Sequence, residues 1–182
     1  MEEFELTRLE IQLEFERFIF SSDLQKIISI SQEAIYNLEK RDLYLVRNQF
    51  QDIPDIVFNA AAARLHDYSG NLLLFNSASK GSIILGGAAA GLAVWFLNQT
   101  LGESVKEAWL ESESHEKVKE FLLQRFGGKR KATAQLLSEK FEQAGYESTF
   151  EELDNKVVVR LKIESSKAHE TIPSVSTKAN AS

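Results

Sequence analysis

Between Lys80 and Glu103 the chain runs twenty-two residues without a charge, GSIILGGAAAGLAVWFLNQTLG. Nothing else in the sequence approaches this length. Coiled as a helix it would extend roughly 33 Å, against about 30 Å for the hydrocarbon core of a bilayer. Ser82, Gly86 and Ala90 recur at spacing four, and Gly87-Ala88-Ala89-Ala90-Gly91 is a GxxxG. Such a ladder strips bulk from one helix face and lets another helix approach closely. Trp95 and Phe96 lie towards one end, where an aromatic ring meets headgroups. Eight Ile, Leu, Val and Phe residues supply about −2 to −5 kcal/mol towards insertion. Four glycines within 81–91, with Asn98, Gln99 and Thr100, oppose it, so the balance is near zero. Two readings follow: a helix that spans or inserts into a membrane, or a Gly/Ala-rich helix buried in a core. Leu101, Val105, Ala108 and Trp109 continue on one face while Glu103, Glu107 and Glu111 stack on another. The spacing therefore predicts a central helix over 81–113, with 81–101 as the candidate membrane segment.

The rest of the chain reads as α+β. Leu9, Ile11, Leu13 and Phe15 alternate with Glu10, Gln12 and Glu14, a half-buried strand with a charged outer face. The phase slips near Glu16–Arg17, which predicts a bulge or a new strand. Ser22-Asp23-Leu24-Gln25 reads as a capping box opening a helix over 23–40. The following LYLVRNQF fits either helix or strand. Asp52 and Pro54 read as the start of a second helix with Ile53, Ile56, Val57, Ala60, Ala61 and Leu65 on its stripe, stopped by Gly70. Leu72–Phe75 reads as a buried strand, and Asn76–Ser82 as a loop.

Beyond residue 114, Val118, Phe121, Leu122 and Phe126 mark a short helix ended by Gly127-Gly128. Leu136, Leu137, Phe141 and Ala144 mark another, ended by Gly145. Tyr146–Phe150 and Val157–Ile163 then alternate on either side of an Asp154-Asn155 turn, a hairpin. The organisation is an N-terminal strand-and-helix part (1–79), the central helix (81–113), a helix-helix-hairpin part (114–164) and a tail (165–182). The tail is rich in Ser, Thr and Ala and is expected to be disordered.

Chemistry leaves few local marks. With no cysteine there is no disulfide framework, zinc knuckle or thiol nucleophile. A net charge of −6 argues against nucleic acid as the main partner. The acidic start MEEFELTRLE lacks the basic region of a secretory signal, and with the missing cysteine it points to an intracellular chain, membrane-associated or cytoplasmic. Gly86-Gly87-Ala88 is superficially like a dinucleotide turn, but Ala88 stands where that turn requires glycine. Lys80-Gly81-Ser82 has the wrong order for a phosphate loop. His66, His115 and His169 have no ligand cluster around them in sequence, and no cofactor or metal is implied. Lys129-Arg130-Lys131 is the one basic triplet that suits an anionic partner, lipid headgroup or phosphate, though three charges fall short of the four to eight of a lipid patch.

Three functions are open at this point. The leading one is a non-enzymatic, membrane-associated interaction or regulatory protein, with a membrane-perturbing effector as a special case. It would insert or self-associate through Ser82, Gly86, Gly87, Ala90, Gly91, Trp95 and Phe96. The second is a soluble adaptor or oligomerisation module that buries the same helix. The third is a small-molecule binder or enzyme with a dispersed site.

Overall fold

The alternating segment at the N-terminus forms strand β1 (Thr7–Phe15), and its odd positions Leu9, Ile11 and Leu13 are fully buried. We describe residues 7–90, 103–154 and 156–164 of a computed structural model. Helices α1 (Ser21–Gln49) and α2 (Asp55–Asp67) follow, then a single 3-10 turn at Ser69–Asn71. Next come strands β2 (Leu73–Ser79) and β3 (Ser82–Ala90). Helices α3 (Glu103–Leu110) and α4 (Glu113–Gln143) lead to the hairpin of β4 (Glu147–Leu153) and β5 (Lys156–Ile163).

The five strands among the described residues join one sheet in the order β2-β3-β1-β5-β4. The first strand of the chain sits at the centre. It pairs antiparallel with β3 (Ile11 opposite Leu85) and parallel with β5 (Ile11 opposite Val159). The β2–β3 and β4–β5 hairpins thus supply one flank each, and residues from both halves of the chain share a single sheet.

Among the described residues the helices cover one face of the sheet and leave the other open. Leu9, Ile11, Leu13, Ile83, Leu85, Val157, Val159, Leu161 and Ile163 share a core with Ile27, Ile35, Leu43 and Val46 of α1, Val57, Ala61 and Leu65 of α2, and Leu137 and Phe141 of α4. These strand residues alternate with those of the opposite face, which are polar along β1 and small or apolar along β3, as a pleat requires. The result is two layers, helices on a mixed sheet, consistent with the α+β class read from sequence.

Several local readings change. Residues 82–90, placed in a central helix by their spacing, form strand β3 instead. The physical reason is that Ile83 and Leu85 reach the core by alternation, while two adjacent glycines weaken a helix by about 1 kcal/mol each. The segment Asn76–Ser82 is no loop: β2 runs to Ser79, and only Lys80-Gly81 turns the chain, with Gly81 at φ +82°. The carbonyl of Gly81 accepts from Phe15 N–H at 2.9 Å, which ties the turn to β1.

The two short helices expected after residue 114 are one helix, α4, running through Gly127-Gly128 and stopped at Gly145 (φ +92°). Glycines cost a helix about 1 kcal/mol each, which lowers its stability without ending it where the rest of the helix is packed. Helix α1 begins at Ser21 with no side-chain cap, so the Ser22 capping box is not formed, and it absorbs LYLVRNQF because Leu43 and Val46 are buried on the same stripe as Ile35. Helix α2 starts at Asp55 rather than after Asp52, and the Asp52 carboxylate instead accepts from the Ser114 hydroxyl in the first turn of α4. Strand β1 simply ends at Phe15, with neither a bulge nor a second strand at Glu16–Arg17.

Candidate functional site

The residues singled out for chemistry do not converge. His66 is exposed near the end of α2, its ring 6.4 Å from that of Tyr36. His115 is buried in the first turn of α4, edge-on to Trp109 at 5.5 Å. His169 lies outside the described residues. Lys80 is exposed in the β2–β3 turn. Among the described residues no group of His, Asp and Glu could hold a metal ion. An open recess of about 400 Å³ lies along α1, lined by Asn37, Lys40, Arg41, Tyr44, Leu45 and Asn48. It contains neither carboxylate nor imidazole, so it offers no acid–base pair.

His115 carries a stability consequence. Burial pushes its imidazole below the usual value of 6.5; the Glu116 charge opposes this, and Lys119 adds to it. The unfolded chain therefore binds a proton at a pH where the folded chain does not. The contribution of His115 is fully present above about pH 6.5 and is lost as pH falls below that value. Urea denaturation at about pH 7.5 and about pH 5.5 should show this loss, and His115→Gln should make it smaller. An equal loss in both proteins would assign the effect elsewhere.

A second polar group links two elements. The Tyr146 hydroxyl donates to Asp23 at 3.1 Å, tying the start of β4 to α1. Burial first, then this hydrogen bond and the Asp23 charge, push the phenol up to about 12.

What the strands do bring together is a surface. On the open face, β1, β5 and β4 carry a cross-strand polar network. Lys156 donates to Glu10 at 2.9 Å, and Arg160 reaches Gln12 at 3.2 Å and Glu151 at 2.8 Å. These side chains close over Val158, which is buried although it faces away from the helices. The other half of this face is flat and uncharged. Register places Ser82, Ile84, Gly86 and Ala88 of β3 there, beside Leu74, Ser77 and Ser79 of β2. The small residues that would have lined a helix face lie along a sheet face instead, because spacing four is also a multiple of the strand period. Gly87 points to the covered side, and a register shift between Thr7 and Arg8 separates Ala90 from the row. Gly91, Trp95 and Phe96 lie outside the described residues. Lys129 and Arg130 fall within α4 rather than at a helix start, and Lys131 is exposed there.

Strand β2 is the outer edge of this flat half. It has no charged residue, LLFNSAS, and it exposes Leu74 by 68% and Phe75 by 62%. Leu74 stands on the open face opposite Gly86, which offers it no side chain to rest on. Phe75 is on the helix side, opposite Leu85, yet the helices leave it bare. The other edge, β4, is guarded by Glu147, Glu151 and Glu152, the usual protection of an edge strand. Reading Leu72–Phe75 as a buried strand missed this surface. The available signal was Lys80-Gly81 as a two-residue turn, which pairs the run with Ser82–Leu85 and leaves its far side open.

No family model, curated protein or solved structure matches the chain.

Proposed function

We propose that this chain is a protein-interaction module whose contact surface is the β2 edge and the small-residue shelf beside it. The observation that carries the reading is a pair of adjacent large apolar side chains, Leu74 and Phe75, exposed on opposite faces of a charge-free outermost strand. A monomer gains nothing by displaying apolar groups along an unpaired strand, since such an edge recruits any strand that meets it. Recognition by strand addition takes affinity from main-chain hydrogen bonds and specificity from alternate side chains. The scattered placement of His66, His115 and Lys80 supports contact rather than catalysis as the role of the described residues. No helix among the described residues is long and apolar enough to cross a membrane, and the reading rests on protein contact alone.

Site-specific photo-crosslinking tests it. A benzophenone amino acid at position 75 should give a discrete adduct in living cells, and the same group in place of the exposed Phe150 on β4 should not. Absence of an adduct at 75, or equal adducts at both positions, overturns the proposal.

A further inference from the structure

We propose that the occupant of the β2 edge is a second copy of this chain, joined by antiparallel β2–β2 pairing about a two-fold axis through Leu74. The inference rests on β2 being the contact strand. Four observations lead to it.

The first is self-complementarity. With the axis at Leu74, Leu73 of one copy faces Phe75 of the other, and Leu74 faces its own counterpart. Leu73 and Phe75 both project to the helix side of the sheet, opposite Gly87 and Leu85, while Leu74 projects to the open face. The pairing therefore matches apolar with apolar on both faces, as an isologous contact must.

The second is register. The β2–β3 ladder shifts between Phe75 and Ser77, so Asn76 is an extra residue in the strand. A bulge ends regular pairing. It confines the ladder to Leu73–Phe75 and excludes the Ser77–Ser79 half, where an axis at Ala78 would bring only serines and alanine together. One register is favoured rather than several.

The third is charge. Each copy carries a net charge of −6, so two copies repel unless they meet where charge is absent. The β4 edge would set Glu147, Glu151 and Glu152 against another row of acids, whereas β2 brings none.

The fourth is the missing apolar neighbour of Leu74. Across β2–β3 it faces Gly86, which has no side chain. Across the axis its counterpart supplies the apolar contact that Gly86 does not. A three-residue ladder is short against the roughly 1,200 Å² or more of a stable interface, so the dimer is a weak one that forms at high protein concentration.

The absence of cysteine makes the test direct. At the axis the two Leu74 Cα atoms would stand about 4.5–5.5 Å apart, within disulfide reach. Leu74→Cys should form a disulfide-linked dimer on mild oxidation at least tenfold faster than Ser79→Cys. Sedimentation equilibrium of the native chain should show a monomer–dimer equilibrium that Phe75→Lys abolishes with unchanged circular dichroism. Equal oxidation rates for the two cysteines, or a dimer that survives Phe75→Lys, overturns the proposal. If copies do not associate but position 75 crosslinks to a species of different mass, the second copy is ruled out and β2 stands as a contact strand for another protein. If position 75 gives no adduct and no dimer forms, both proposals fall.

Discussion

Gly87→Ala is expected to lower stability by about 2–3 kcal/mol, and Gly87→Leu to prevent folding, while Gly86→Ala leaves the protein folded and as stable as before or slightly more so. The two glycines are neighbours on one strand, yet their surroundings differ. A Cβ at Gly87 would lie 2.6 Å from the Leu72 carbonyl oxygen and 2.8 Å from Leu73 Cδ2. The first of these atoms is backbone. It cannot yield easily, because Leu72 follows the 3-10 turn and Leu73 is paired with Gly87 itself. A Cβ at Gly86 would meet nothing closer than Asn76 Cβ at 3.8 Å, an ordinary contact. Denaturant midpoints by circular dichroism would separate the variants. Equal tolerance of alanine at both positions would mean that the chain does not cross itself at Gly87 as described. The contrast also tests strand against helix: an alternation of sensitive and insensitive neighbours has the period of a strand.

That alternation shows why the middle of the chain was hard to read. Small residues four apart share a face in a helix and also in a strand, so Ser82 and Gly86 could not decide between them. What decides is the partner. Leu73–Phe75 pairs with Leu85–Gly87 across a two-residue turn, and a hairpin of this kind needs its other strand before either is stable. A charge-free run says that a segment avoids water, not how it does so.

Where the pattern was strict it was legible. The alternation of Leu9–Leu13 and of Val157–Ile163 gave two strands and their buried sides. That β1 and β5 lie side by side was not readable, since local pattern carries no information about which distant strands pair. The contact surface was missed for a related reason. Leu74 and Phe75 have the composition of core residues, and only the topology, which puts β2 last in the sheet, exposes them. Gly127-Gly128 misled in the opposite sense, because the packing of α4 against β4, β5 and α1 outweighs the local cost of two glycines.

Phe141→Ala is expected to cost about 3–5 kcal/mol, a large part of the roughly 5–15 kcal/mol that holds a domain of this size together. Phe141 is fully buried in the last turn of α4, on one stripe with Ala134 and Leu137. Its carbonyl accepts from Tyr146 N–H at 2.9 Å, so the ring and the turn into β4 are fixed at the same point. Removing the ring leaves a cavity under the β4–β5 hairpin that the sheet cannot close without moving β5. Because β5 pairs with β1 and β1 with β3, the loss cannot stay at one flank. Unfolding should remain a single transition, shifted to lower denaturant, rather than split into two. Phe150→Ala, on a ring already 37% exposed, should cost much less. A small effect at Phe141, or a separate early transition of the hairpin, would mean that the two flanks of the sheet stand independently. In that case the β2 edge would keep its shape, and its capacity to bind, after the β4–β5 flank had come apart.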